Sequence, residues 1–303
     1  MGSIAYVADE EMIEYHRLCG NKEINFWRLS SQKNFTNFHS GDLLFFYTKV
    51  PFSNKKAFAG YAHFVFSKRM SIQEMWKKYN TSNGYDSIDK LTEAIQKACR
   101  DKELPKKMDC LFLKDVVFFN EPVFPDEVGL DLSSKLESYC YIDKNDPEVT
   151  VRILRKAEEK GIDLWSAAWS KETEDLFIHD EIRQGLYGIS KLLGKTEWTE
   201  SERKKAIKLM SLFTKEKTFE YIISSQTDVF TNIDGNIIIA LPFIYSSRNR
   251  NERKVSLIGR MALYKYYIKK EGIPIHSCTF KVVTLKDEED INQLQEEINN
   301  ERL

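Results

Sequence analysis

Trp27, Phe46, Tyr47 and Trp76 are aromatic side chains set among small polar ones, Ser30 and Asn83, and among cations, Arg28, Lys49, Lys55 and Lys56. That mixture suits one kind of chemistry, the holding of a planar, polar-edged ring beside a phosphate. Aromatic faces stack on such a ring, worth ~1–3 kcal/mol for a nucleobase. A hydroxyl or amide can meet its polar edge, while Lys and Arg hold phosphate oxygens and carry no sequence information. Each residue also has a plainer use: the aromatics can pack a core, Asn83 beside Gly84 can cap a turn, and the cations can face solvent. Phe45 and Phe46 point to opposite faces of one strand, so they cannot share a pocket, and Phe45, Phe64 and Phe118 are assigned to the core.

Residues for bond-making chemistry are sparse. The five cysteines are spread through the chain with no CxxC pair, which indicates neither a zinc knuckle nor a disulfide framework and fits thiols in a reducing cytoplasm. The five histidines are isolated, with no HExxH. Residues 235–247 contain no acid or base at all.

The elements that must position these residues follow from pattern. A helix is expected over 10–18, and strands over 24–29, 42–47 and 57–66, where aromatic and β-branched residues are bounded by turn formers. Ser71-Ile72-Gln73-Glu74 is a capping box opening a helix, and 87–100 is another helix. A strand pair, 110–113 and 116–119, closes a compact mixed barrel. Acidic, turn-prone residues 143–146 mark a boundary, so the expected division is 1–145, a helical linker at 146–200 and an α/β domain at 201–303. Trp165 and Trp169, four apart on a helix, are expected to pack. The last domain reads helix, three strands, helix, strand, helix. Ile233-Asp234-Gly235-Asn236 is its hairpin turn, and Leu257, Met261, Tyr264 and Ile268 form an apolar stripe. The fold class is α+β.

Net charge is −1, yet residues 15–114 hold 18 Lys/Arg against 9 Asp/Glu. Segregated basic surface of this kind can bind phosphate backbones locally. No apolar run reaches the ~20 residues of a membrane span. The first residues lack the basic start and apolar stretch of a secretion signal, and Tyr6 stands where myristoylation needs Ser or Thr.

Residues 25–143 resemble the EVE-like domain of the PUA superfamily found at the front of modification-dependent HNH restriction endonucleases. The resemblance is carried by Phe26-Trp27-Arg28-Leu29-Ser30, by residues 40–49 (SGDLLFFYTK), by Gly60-Tyr61-Ala62-His63-Phe64, Trp76 and Asn83-Gly84, and by residues 111–119 (LFLKDVVFF). It implies a small twisted barrel whose side pocket takes a base rotated out of DNA. Trp27, Phe46, Tyr47 and Trp76 would form its walls, Ser30 and Asn83 would read the edge, and Arg28, Lys49, Lys55 and Lys56 would hold phosphates. The C-terminal order resembles a PD-(D/E)xK nuclease core without its Glu-x-Lys pair. The expectation is therefore a non-catalytic, cofactor-free reader of modified DNA in a restriction or phage-defence assembly, partnered by a nuclease or NTPase and not by membrane. The alternatives are a nuclease subunit using Mg²⁺ at Asp228 or Asp234, and an RNA-binding PUA-type protein.

Overall fold

The computed structural model describes the chain apart from residues 1, 30–34, 52, 54, 101–102, 134, 164–170, 217, 223–226 and 301–303, and apart from the side chains of 171–173 and 216. Ser30, Trp165 and Trp169 lie outside the described residues. The chain forms two compact units, Met1–Phe177 and Ile178–Leu303. It is α+β throughout.

In the first unit, strands β1 (Ser3–Val7), β2 (Glu23–Arg28), β3 (Leu43–Lys49), β4 (Lys56–Met70), β5 (Met108–Val123) and β6 (Tyr139–Tyr141) make one sheet in the order β2-β5-β4-β3-β1-β6. Only the β1–β3 pair is parallel. The strand pair expected at 110–119 is one long strand, kinked at Asp115, whose φ is +53°. Bulges interrupt the β4–β5 ladder between Phe58 and Gly60, Tyr61 and His63, and Phe64 and Phe66. Each extra residue bends the ladder and increases its twist. Gly60 permits a close approach of β4 to β5, since a Cβ there would stand 2.3 Å from the Val117 carbonyl oxygen.

The result is a rolled sheet. Tyr6 on β1 and Phe26 on β2 are separated by three intervening strands, and a flat sheet would hold them ~19 Å apart. Their ring centroids are 5.0 Å apart. The inside of the roll is filled by Tyr6, Phe26, Phe46, Phe64 and Phe118, closed over by helices α1 (Glu10–Leu18), α2 (Ile72–Tyr79) and α3 (Ile88–Ala98). The alternate face of β3, with Leu43, Phe45 and Tyr47, packs on helix α4 (Val149–Lys160). The capping box at Ser71 is formed, with Ser71 N–H donating to Glu74 Oε2 at 2.8 Å and Glu74 N–H to Ser71 Oγ at 3.3 Å.

The division between units falls within helix α5 (Lys171–Leu193). The second unit continues with α6 (Glu200–Glu216), β7 (Glu220–Tyr221), β8 (Val229–Ile233), β9 (Asn236–Pro242), α7 (Arg250–Lys270), β10 (Ser277–Val283) and α8 (Glu289–Asn300). Its sheet order is β10-β9-β8-β7, with β9 and β10 parallel across α7. Asp234 and Gly235 take φ of +50° and +76° in the tight β8–β9 turn, as an Asp-Gly hairpin requires. Leu257, Met261, Tyr264 and Ile268 face the core from α7.

Candidate nucleic-acid interface

The β3–β4 hairpin ends where Lys49 pairs in register with Lys56, so one end of the roll carries Lys49, Lys55 and Lys56 together. Two clefts meet at Lys56. The larger, 830 Å³, has Val7 and Leu29 on its wall and Lys56, Arg100, Lys135 and Glu137 on its rim. The smaller, 210 Å³, lies between Tyr47, Lys55, Lys56 and Phe124. The larger falls in the ~300–1,000 Å³ range of ligand sites. Lys56 Nζ donates to the Leu136 carbonyl at 2.6 Å, and burial pulls its pKa below the usual lysine range while Glu137 opposes that shift. Lys55 Nζ stands 5.9 Å from the Phe124 ring centroid. Arg100 and Glu137 pair at 3.1 Å with both side chains exposed, which leaves the arginine free to exchange partners. Lys49 is exposed and lines a separate 470 Å³ cleft with Arg17, Glu10 and Asn120.

Arg28 does not stand on this rim. It is 7 % exposed, with Nη2 3.5 Å from the Asp109 carboxylate and its guanidinium 4.5 Å from the Phe35 ring centroid. Strand alternation turns it into the roll, away from any external phosphate.

The aromatic candidates are not brought together into one wall. Phe46 has no exposed surface and stacks between Phe26 (6.2 Å) and Phe118 (6.1 Å) as a core ring. Trp27 packs beside Tyr85 at 6.5 Å, and its Nε1 is buried without a hydrogen-bond partner. Tyr47 belongs to the opposite core face and packs on Phe58 at 5.3 Å, yet part of it reaches the 210 Å³ cleft. Burial raises its phenol pKa. Trp76 packs, half-buried, against the outside of the first core. Asn83 is fully buried and fully used. Its Nδ2 donates to the carbonyls of Met75 (3.1 Å) and Asn80 (2.7 Å), and its Oδ1 accepts from Asn25 Nδ2 (2.8 Å). This is the turn-capping use, with Gly84 following at φ +91°.

In the second unit Asp228 is buried and bracketed by helix α7. It accepts from Arg260 Nε at 2.7 Å and from Tyr264 OH at 2.8 Å. Asp234 is exposed at the far end of β8. The two stand six positions apart along extended chain, ~20 Å, too far to share one ion. Among the described residues no group of three or more His, Cys, Asp or Glu could hold a metal.

No family model matches the chain, and no curated protein matches it. Among solved structures it is similar to ASCH from Zymomonas mobilis, at 12% identity over 49% of this chain and 93% of that one, with a TM-score of 0.35. A serine-to-alanine variant of that protein overlaps at 13% identity over 51% and 95%, TM-score 0.36. A tyrosine-to-phenylalanine variant overlaps at 13% over 49% and 96%, TM-score 0.34. Overlap at this level does not define a family for the chain.

Arg100 and Lys135 escape a sequence reading because each looks like an ordinary solvated charge, and only the roll sets them around one cleft. Phe35 and Tyr139 escape for a related reason. Tyr139-Cys140-Tyr141 has the alternation of a strand, but nothing local says that it lies beside β1, where Tyr139 stacks on Tyr6 at 5.8 Å. Among the described residues no helix is long and apolar enough to cross a membrane.

Proposed function

We propose that the first unit binds nucleic acid at the open end of its roll, as an EVE-like member of the PUA superfamily that reads a modified base rotated out of DNA. The observation that carries this reading is the pair of clefts meeting at Lys56, with Lys55, Arg100 and Lys135 around them. Cations at a concave mouth neutralise phosphates, and the apolar walls of Val7 and Leu29 accommodate a base that has left its stack. On this reading the second unit, with Asp228 spent on Arg260 and Tyr264, docks a nuclease or NTPase partner within a restriction or phage-defence assembly. The test is duplex binding by the full chain. Lys55→Ala, Lys56→Ala and Lys135→Ala together should weaken binding at least tenfold without lowering the melting temperature. Unchanged affinity would remove the cleft from the interface. Tighter binding of single-stranded or duplex RNA than of modified DNA would transfer the same surface to an RNA-binding role.

A further inference from the structure

Helix α7 presents two faces. Leu257, Met261, Tyr264 and Ile268 enter the core of the second unit. On the opposite side Glu252, Val255, Gly259, Ala262, Tyr266 and Lys269 are all exposed, Val255 at 69 % and Tyr266 at 58 %. Their alternating steps of three and four residues are the heptad rhythm of a helix that packs along a second helix. Gly259 stands at the middle of this stripe. A glycine inside a helix costs ~1 kcal/mol relative to alanine. The space around it does not call for one, since a Cβ at Gly259 would meet nothing within 4 Å among the described residues. A bare position at the centre of an exposed stripe lets another backbone come close. A phosphate backbone suits the helix less well than a second helix does. Arg250, Arg253, Lys254, Arg260 and Lys265 already donate within the unit, to Glu288 and Asp290, to Glu202, to Asp290, to Asp228 and to the Ile298 carbonyl.

We propose that the exposed face of α7 docks a second copy of this chain, the two α7 helices packing antiparallel about a twofold axis between Gly259 and Ala262. Such an isologous contact pairs residue i with j and j with i. Centred there, the register sets Gly259 of one copy against Ala262 of the other, Val255 against Tyr266, and Glu252 against Lys269. Charge decides the orientation. Antiparallel packing forms the Glu252–Lys269 pair twice and opposes the helix dipoles favourably, whereas parallel packing would set like charges against each other at both ends. Leu263, 45 % exposed, and the half-buried Ile258 border the seam. The contact runs for ~27 Å of helix. One helix pair of that length stands at or below the low end of the ~1,200–2,000 Å² of stable interfaces, so the dimer is of the weak, concentration-dependent kind. The inference concerns the second unit and does not rest on the reading of the first.

The experiment follows the full chain by sedimentation velocity from about 1 to 300 μM, the range of weak association, alongside thermal melting and duplex binding. The variants are Gly259→Leu, Glu252→Lys, Lys269→Glu and the double charge swap. Wild type is expected to pass from monomer to dimer as concentration rises. Gly259→Leu, whose side chain enters open space in the single chain, should melt no lower than wild type and stay monomeric. Each single charge reversal should weaken the dimer about tenfold, and the double swap should restore it. Wild type that stays monomeric throughout overturns the proposal. So does a dimer that persists in Gly259→Leu, or a double swap no tighter than the single reversals. Should Gly259→Leu fail to fold, the charge series decides alone, since Glu252 and Lys269 are exposed. A monomeric wild type whose duplex binding is lost in Lys269→Glu would overturn self-association and give this face to nucleic acid.

Discussion

Asn25 and Asn83 lie 58 positions apart in the chain and share a buried hydrogen bond of 2.8 Å, Asn25 donating and Asn83 accepting. Through it β2 is tied to the turn that follows α2, and Asn83 then passes its own two donors to the carbonyls of Met75 and Asn80. Every group on Asn83 is engaged, so the residue holds the wall of the roll and has nothing left for a base edge.

Asn83→Ala should therefore act on stability. Each buried group left unpaired costs ~1–3 kcal/mol. The midpoint of urea unfolding should fall by an amount of that order or more, while the folded fraction binds nucleic acid as wild type does. A variant with normal stability and impaired binding would return Asn83 to the binding surface.

Trp27→Ala should also be a stability variant. Its indole is 8 % exposed within the first core, where deleting a large aromatic leaves a cavity and costs ~3–5 kcal/mol. Paired melting and binding curves check this. A normal melt with lost preference for a modified base would place Trp27 at a pocket after all.

Binding by the first unit should be steeply salt-dependent, because 18 Lys/Arg against 9 Asp/Glu over residues 15–114 displace counterions from phosphates. Lys55 is exposed beside the cleft, and Lys55→Ala should reduce the slope of log affinity against log salt by about 1. Equal affinity at low and physiological salt would argue against phosphate contact.

The chain alone should not cut DNA with Mg²⁺. Asp228 is committed to Arg260 and Tyr264, and Asp234 stands at the other end of β8. Asp228→Ala should instead destabilise the second unit by ~3 kcal/mol, since it removes the carboxylate from a largely buried arginine whose side chain is 11% exposed. Metal-dependent cleavage by pure protein that disappears in Asp228→Ala or Asp234→Ala would reverse this view.

Acid should weaken the fold in a defined window. Burial holds the His16 pKa down to about 3, against an ordinary value of 6.5. The unfolded chain takes up a proton on His16 that the folded chain refuses, so this contribution is complete above pH 6.5 and declines as pH falls towards 3. Glu202, held down to about 2 by hydrogen bonds from Asn249, Thr199 and Arg253 against the opposing effect of its burial, adds a second decline below pH 4.5. His16→Gln should flatten the pH dependence of melting temperature between pH 7 and 5. An unaltered slope would show that His16 is not its source.

What could be read from the sequence alone is what neighbouring residues decide among themselves. The Ser71 cap needs only Glu74, the β8–β9 turn needs only Asp234-Gly235, and the α7 stripe repeats with the pitch of its own helix. In each case successive residues of the signal stand no more than four positions apart. Strand β1 had no such signature, because Ser3–Val7 is a strand through its parallel ladder with β3, forty residues away. The function of each charge was equally hidden. Arg28 and Lys55 belong to the same chemical class, and nothing in their local sequence separates a buried cation from an exposed one. Bulges in β4 and β5 roll the sheet until Tyr6 meets Phe26, and that roll encloses Arg28 while leaving Lys55 in water. The surroundings of a charged group come from residues distant in the chain, so composition names the charge and only the tertiary structure decides whether it meets a phosphate, a ring or solvent.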